Sequence, residues 1–127
     1  MSYTIHKMRA KLHNGVVTGA NMNYEGSVTI GKDLLEASGI EVWERVQVLN
    51  ISNGNRIETY VIEGHKKQIH LNGAAAKLFN EGDRVIIIAY ADVKRYGDPN
   101  DGTGDGFTPT RVILDGTADN LIKEVLH

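Results

Sequence analysis

Residues 44–62 carry the clearest structural signal in the chain and read ERVQVLNISNGNRIETYVI. In the first half, Val46 and Val48 alternate with more polar positions, which is typical of a strand with one buried face. Asn53-Gly54 is a strong turn signal, and residues 56–62 return to β-branched and aromatic side chains. The pattern predicts a β-hairpin. Its second strand would present three polar side chains on a rigid element: Arg56, Thr59 and Tyr60.

Further short strands are predicted on both sides of this hairpin. Runs of β-branched and apolar residues predict strands at residues 27–30, 69–71, 85–90 and 111–114. The run at 85–90 is almost continuously apolar, which is typical of a strand buried on both faces. Many short strands separated by turns indicate a mainly β barrel.

The N-terminal residues predict a second hairpin. Residues 4–13 have the composition of a short strand, although without clean alternation. Asn14-Gly15 is a two-residue turn signal, and the β-branched residues 16–18 follow it. We therefore expect the chain to reverse direction at Asn14-Gly15.

Two short helices complete the prediction. Asp33 is a good N-cap and Gly39 a good C-cap for a helix at residues 34–38. Asn72-Gly73 followed by three alanines predicts a second helix start, whose free N–H groups could hold an anion or could simply pack against the sheet. Residues 121–126 form a short amphipathic tail.

Composition indicates one cytoplasmic domain, residues 1–127, and excludes several kinds of site. The chain of 127 residues has no cysteine, so disulfides, Cys-ligated metals and a thiol nucleophile are excluded. A net charge of -2 without a basic run argues against nucleic acid as a partner. No stretch approaches the ~18 consecutive apolar residues of a membrane span. The five histidines show no paired metal-ligand spacing, and we expect no metal.

The Gly26-Ser27 bond is a candidate site of self-cleavage. Glycine has no Cβ and leaves its carbonyl open to attack, and the serine hydroxyl is the adjacent nucleophile. A Gly-Ser pair alone is also ordinary turn chemistry. The surrounding residues therefore decide between the two interpretations.

Five motifs occur in one order along residues 11–90: Lys11-Leu12-His13, Tyr24-Glu25-Gly26-Ser27, Asn53-Gly54-x-Arg56, Thr59-Tyr60 and Asn72-Gly73-Ala74-Ala75-Ala76. Together they closely resemble the bacterial aspartate 1-decarboxylase family, which is pyruvoyl-dependent. The resemblance implies a double-psi β-barrel and a homotetramer with active sites between subunits. It also implies conversion of L-aspartate to β-alanine and CO2 for pantothenate synthesis, without pyridoxal phosphate or a metal.

By this resemblance, the cofactor is made from the chain itself. Ser27 Oγ attacks the Gly26 carbonyl and converts the amide to an ester; elimination and hydrolysis then leave a pyruvoyl group on residue 27 and release ammonia. The products are a β chain, residues 1–26, and an α chain, residues 27–127. A Schiff base between substrate and pyruvoyl carbonyl accepts the electrons left by decarboxylation. The sequence leaves open whether a maturation protein assists cleavage.

The resemblance also assigns roles to individual residues. Tyr60 matches the proton donor of turnover, and Thr59 matches the group that assists the oxyanion step of cleavage and contacts substrate. Arg56 and Lys11 would bind carboxylates as cations. Four more residues would line the substrate pocket or orient groups near the cleavage site: Asn72, Gly73, Ala74 and Ala75.

Two alternatives stay open at this point. The chain could decarboxylate another amino acid such as glutamate, because Leu49 stands where some family members carry a larger Trp. It could instead be a binding module that never cleaves. The 101–106 segment, with Asp101, Thr103 and Asp105, resembles a calcium loop but lacks the closing acid, so a solvated loop is the favoured interpretation.

Overall fold

The computed structural model describes residues 1–98 and 107–127, so the calcium-like segment at 101–106 lies outside the described residues. The described part of the chain forms nine strands, one α-helix and one 3₁₀ helix. Their bounds are β1 Ser2–Val16, β2 Gly19–Asn21, β3 Ser27–Gly31, α1 Lys32–Ser38, β4 Arg45–Asn50, β5 Arg56–Gly64, β6 Ile69–Asn72, the 3₁₀ helix Gly73–Leu78, β7 Arg84–Tyr96, β8 Thr110–Leu114 and β9 Ile122–Leu126.

The strands form one mixed sheet in the order β2-β6-β3-β5-β4-β7-β1-β8-β9. Because β1 continues through two residues into β2, and β2 pairs with β6, the chain itself joins the two ends of the ladder from β6 to β1. Thr18 strengthens this junction, since its backbone N–H donates to the Ile69 carbonyl at 2.8 Å. The prediction of a mainly β barrel with a few short helices is confirmed.

The hairpin predicted at residues 44–62 is confirmed. β4 and β5 pair antiparallel, with Leu49 opposite Arg56 and Arg45 opposite Tyr60. Val46 and Val48 are buried while their neighbours are not, as the alternation predicts. β5 also pairs in parallel with β3, and this pairing places Val61 beside Val28. The hairpin is therefore held against the strand that begins at Ser27.

The hairpin predicted at Asn14-Gly15 is wrong, because β1 runs without reversal from Ser2 to Val16. Asn14 adopts a left-handed φ of 65°, and the pairing of β1 with β7 shifts between Leu12 and Gly15. Asn14 therefore supplies a β-bulge instead of a turn. Long pairing with β7 and β8 on both sides of β1 outweighs the local turn preference.

The predicted helix α1 forms, but Asp33 does not cap it. The N-cap position is Gly31, and the Asp33 carboxylate accepts a hydrogen bond from the Lys67 backbone at 2.8 Å instead. Gly39 is the C-cap as predicted, with a φ of 76° and its N–H donating to the Leu35 carbonyl at 2.9 Å.

Two predictions for the C-terminal half need correction. Residues 85–90 are not buried on both faces: Val85, Ile87 and Ala89 face the core, while Tyr90 is 41% exposed. The strand also continues to Tyr96 beside the start of β1, beyond the barrel. Most of the C-terminal tail is a strand, β9, because it pairs with β8.

The core lies inside the barrel and consists of aliphatic side chains from nearly every strand, together with Phe79. Burial of this apolar surface is the main force that stabilises the barrel. Within residues 1–98 and 107–127, none of the helices has the length and apolar character needed to cross a bilayer.

Candidate active site

Ser27 is the first residue of β3, and its side chain is only 2% exposed. Its hydroxyl donates a hydrogen bond to the Glu25 carbonyl oxygen at 3.0 Å. The Asn72 side-chain amide donates to the same hydroxyl oxygen at 3.0 Å, since Ser27 and Asn72 lie opposite each other on β3 and β6. The predicted nucleophile is therefore held by partners on two elements.

Thr29 fixes the amide that holds Ser27. Asn72 Nδ2 also donates to Thr29 Oγ1, at 2.9 Å, so both N–H groups of the amide are used. Thr29 is buried, and it lies two residues after Ser27 on the same face of β3. The sequence analysis missed Thr29, although strand alternation places its hydroxyl beside that of Ser27.

Gly73 packs directly against the candidate cleavage bond. Its φ is +73°, and a Cβ at this position would lie 2.7 Å from Gly26 Cα and 2.8 Å from Gly26 N. Gly26 itself faces open space: within residues 1–98 and 107–127, no atom beyond its own chain neighbours lies within 4 Å of a Cβ built there. Backbone therefore supports this bond on one side, while the other side is open.

The helix predicted after Asn72 forms as a 3₁₀ helix of six residues. The Asn72 side chain makes no capping hydrogen bond; its Nδ2 donates to Ser27 and Thr29 on β3. Ala74 is exposed and Ala75 partly buried. Their role in lining a substrate pocket stays a prediction.

Tyr60 lies on the strand next to Ser27. Val28 and Val61 are register partners, and Ser27 and Tyr60 each precede one of them by a residue. The Tyr60 ring stacks on the ring of Trp43, with centroids 5.6 Å apart and 26° between the planes. Trp43, Thr59 and Tyr60 line one cavity of about 460 Å³. Among the described residues, no hydrogen bond joins the Thr59 side chain to Gly26 or Ser27, so its role in cleavage also stays a prediction.

Arg56 lies four residues before Tyr60 on β5, about 13 Å away along an extended strand. Its guanidinium donates to the Gln47 side-chain oxygen at 2.8 Å, and the Tyr90 hydroxyl donates to the same oxygen at 2.8 Å. This network orients Arg56 on the outer surface of the hairpin. It does not bring Arg56 to Ser27 of the same chain.

Lys11 lies among basic side chains on β1, which β5, β4 and β7 separate from β3 in the strand order. It is the register partner of Arg111 on β8, and His13 follows it on the same face of β1. Burial lowers the pKa of His13, and the charges of Lys11 and Arg84 lower it further. In the described part of the chain no carboxylate forms an ion pair with Lys11 or Arg111. The predicted role of Lys11 in binding a carboxylate stays a prediction.

A second cavity, of about 430 Å³, borders the cleavage region and includes Tyr24, Thr29 and Asn72 in its lining. A larger one, of about 600 Å³, lies over the outer surface of β4 and contains Gln47 and Tyr90. Within the described ranges no cluster of three or more histidine, aspartate or glutamate side chains is arranged to hold a metal ion.

Comparison with known proteins identifies the family. A family model described as aspartate decarboxylase matches residues 3–120. The chain belongs to the aspartate decarboxylase family. It is 46% identical over 122 residues to the aspartate 1-decarboxylase of Clostridium beijerinckii, covering 94% of this chain and 92% of that protein. It is 54% identical over 89 residues to the aspartate 1-decarboxylase of a Hydrogenobaculum species, covering 70% and 71% of the two chains.

Membership of the aspartate decarboxylase family confirms two expectations from the sequence: the resemblance itself, and the conclusion that the chain is an enzyme of the decarboxylase class. The single chain brings Gly26, Ser27, Asn72 and Gly73 into contact, and places Tyr60 on the neighbouring strand. It leaves Arg56 and Lys11 apart from this group. Trp43 is a further residue that the sequence analysis missed, although it is the chain's single tryptophan.

Proposed function

We propose that this protein decarboxylates L-aspartate to β-alanine and CO2, after cutting itself between Gly26 and Ser27. One observation carries the proposal: in a chain of the aspartate decarboxylase family, the Ser27 hydroxyl is buried and held beside Gly26 by Glu25 and Asn72. Relatives named aspartate 1-decarboxylase support the substrate.

The residues around Ser27 fit the proposed cleavage. Attack of Ser27 Oγ on the Gly26 carbonyl carbon breaks the C–N bond and passes the acyl group to oxygen, while the hydroxyl proton moves to the nitrogen. Elimination then releases residues 1–26 as a carboxylate and leaves dehydroalanine at residue 27. Water then hydrolyses the imine tautomer of the dehydroalanine, which releases ammonia and leaves the pyruvoyl ketone. The Asn72 amide, already donating to Ser27 Oγ, orients the nucleophile for the first step.

In turnover, the pyruvoyl group would supply the electrophilic carbonyl that accepts electrons as CO2 leaves. Tyr60 would then donate its phenolic proton to the substrate carbon, because it lies on the strand next to residue 27. Asn72 and the Gly73 backbone would hold the group at residue 27 in place.

Arg56 and Lys11 support a dicarboxylic substrate. Aspartate keeps one carboxylate after decarboxylation, and a guanidinium binds a carboxylate with two parallel hydrogen bonds. Arg56 is exposed in the single chain, so a partner subunit would have to cover it. Removing one partner of a charge pair buried in this way costs about 2 to 5 kcal/mol, which sets the scale for rejecting alanine. Glutamate differs from aspartate by a methylene worth about 1 to 3 kcal/mol, so discrimination between the two is weaker.

The separation of these cations from Ser27 supports an active site shared between subunits. β1, which carries Lys11, pairs with β7 and β8, whereas Ser27 lies between β5 and β6. A second copy of the chain could bring its own Lys11 to the Ser27 region. We therefore propose sites at subunit interfaces, in the homotetramer that the family resemblance implies.

Denaturing mass spectrometry tests the cleavage directly. After warm incubation we expect two fragments, residues 1–26 and 27–127, the second carrying a pyruvoyl group, and release of CO2 from L-aspartate. Ser27→Ala should keep the full-length mass and release no CO2.

Two outcomes would count against the proposal. A wild-type preparation that stays at full length, even when incubated with extract of the source cells to supply a maturation protein, would exclude self-cleavage. If the cleaved protein releases CO2 from glutamate faster than from aspartate, glutamate and not aspartate is the substrate.

A further inference from the structure

Trp43 occupies an unfavourable position in two respects. Its φ is 73°, a left-handed conformation that bulky residues rarely adopt. Its side chain is 71% exposed, so the large indole surface contributes little to the core. An outlier of this kind points to a local role for the side chain.

The backbone around Trp43 is held firmly. The Trp43 N–H donates to the Val61 carbonyl at 2.7 Å, and the Val61 N–H donates to the Glu44 carbonyl at 3.0 Å. The Glu44 carboxylate accepts a hydrogen bond from Arg9 Nε at 2.8 Å and a second from the same guanidinium. These bonds tie Trp43 to β5, one residue from Tyr60.

The indole is placed where it contacts the Tyr60 ring. Arg45 lies opposite Tyr60 in the hairpin, and Trp43 lies in the turn two residues before Arg45. The two rings form an offset stack at 5.6 Å. Arg45 pairs with Glu58 at 2.9 Å and borders the same 460 Å³ cavity. Tyr60 is thus packed against a fixed aromatic surface while it remains open to the cavity.

We propose that Trp43 is a positioning residue for Tyr60: its indole stacks on the phenol ring and fixes that ring at the cavity lined by Thr59 and Tyr60. The inference rests on the proposed function, in which Tyr60 donates the proton of turnover. In addition to that function, it states that Trp43 sets the position of the phenol that carries this proton. Trp43 itself touches no reacting atom.

A double-mutant cycle tests this role through kcat. Trp43→Asn removes the ring but suits the left-handed backbone, so the loop should keep its conformation. We expect Trp43→Asn to lower kcat for aspartate about 2- to 10-fold, the range of an aromatic pair, with KM unchanged. Trp43→Phe, which keeps an aromatic ring, should retain most of the wild-type kcat. In a Tyr60→Phe background, where the donor is already gone, Trp43→Asn should have no further effect.

A fluorescence measurement tests the stack without using activity. Because Trp43 is the only tryptophan, its emission reports on this site alone. Tyr60→Leu should shift the emission to longer wavelength and increase quenching by acrylamide, while Thr59→Ser should leave both unchanged. An unchanged spectrum in Tyr60→Leu would overturn the stack.

The remaining outcomes separate this inference from the proposed function. A wild-type protein that releases no CO2 from aspartate refutes the proposed function before any variant is made. With an active wild type, the inference is overturned if Trp43→Asn keeps the full kcat, or if its effect adds to that of Tyr60→Phe. It is also overturned if Trp43→Asn dissociates the oligomer in size-exclusion chromatography, because Trp43 would then act through assembly.

Discussion

At the scale of single residues, Thr29 offers a sharp test of how the Ser27 hydroxyl is oriented. Its Oγ1 accepts one of the two N–H groups of Asn72, and the other is donated to Ser27. Thr29→Val keeps the shape but leaves a buried N–H without a partner, at a cost of about 1 to 3 kcal/mol. We expect slower cleavage, by about 5- to 100-fold, in a time course followed by mass spectrometry.

Thr29→Ser is the matched control, since it retains the hydroxyl. It should cleave at nearly the wild-type rate. Equal cleavage rates for Thr29→Val and the wild type would remove Thr29 from the orientation of Ser27.

At the scale of elements, the end of α1 depends on the backbone conformation of Gly39. Its φ of 76° places it in the left-handed region, and in the described part of the chain the nearest atom to an added Cβ is Arg9 Nη1 at 4.0 Å. Gly39→Ala should therefore act through backbone strain and lower the free energy of unfolding by about 1 kcal/mol. Urea denaturation measures this change. Gly39→Asn, which tolerates the conformation better, should lose less, and a Gly39→Ala protein as stable as wild type would exclude strain.

The elements also differ in how far the sequence predicts them. The β4-β5 hairpin follows from local signals, because alternation and an Asn-Gly turn agree with the tertiary pairing. The same Asn-Gly signal at residue 14 misleads, because β7 and β8 pair with β1 on both sides of it. Asp33 resembles an N-cap but bonds to Lys67, which is distant in sequence. Local patterns carry no information about such partners.

The residues of the candidate site also differ in how far the sequence predicts them. Ser27 and Asn72 could be identified from motifs that resemble a known family. The stack of Trp43 on Tyr60 could not, since it depends on a left-handed backbone and on the pairing of Val61 with residues 43 and 44. Thr29 is an intermediate case. Alternation predicts its face, but only the register of β3 with β6 brings it to Asn72.

At the scale of the whole molecule, the separation of Lys11 from Ser27 predicts that two inactive chains can restore each other. Ser27→Ala cannot form the pyruvoyl group, and Lys11→Ala lacks the cation. Co-expressed, they should regain part of the CO2 release, because a mixed interface can combine Ser27 of one chain with Lys11 of the other. The readout is activity of purified hybrids against each variant alone.

Ser27→Ala mixed with Tyr60→Phe is the control for this experiment. Ser27 and Tyr60 lie on paired strands of one chain, so no mixed interface can combine the intact residues. We expect no recovery in this case. Recovery in the control but not in the Lys11 pair would contradict this assignment. It would mean that Ser27 shares its site with Tyr60 of the other chain and with Lys11 of its own chain.

The position of the proposed cut has a consequence for how the mature protein unfolds. Residues 1–26 contain β1 and β2, which complete the barrel by pairing with β7, β8 and β6. After cleavage this segment would be a separate peptide, bound to the rest of the protein only by non-covalent contacts. Reassembly then becomes a bimolecular reaction whose equilibrium depends on protein concentration, as for any bound partner. Activation would turn an intramolecular fold into a complex of two fragments. Once these fragments dissociate at high dilution, no covalent bond keeps them together, and the fold forms again only if they meet in solution.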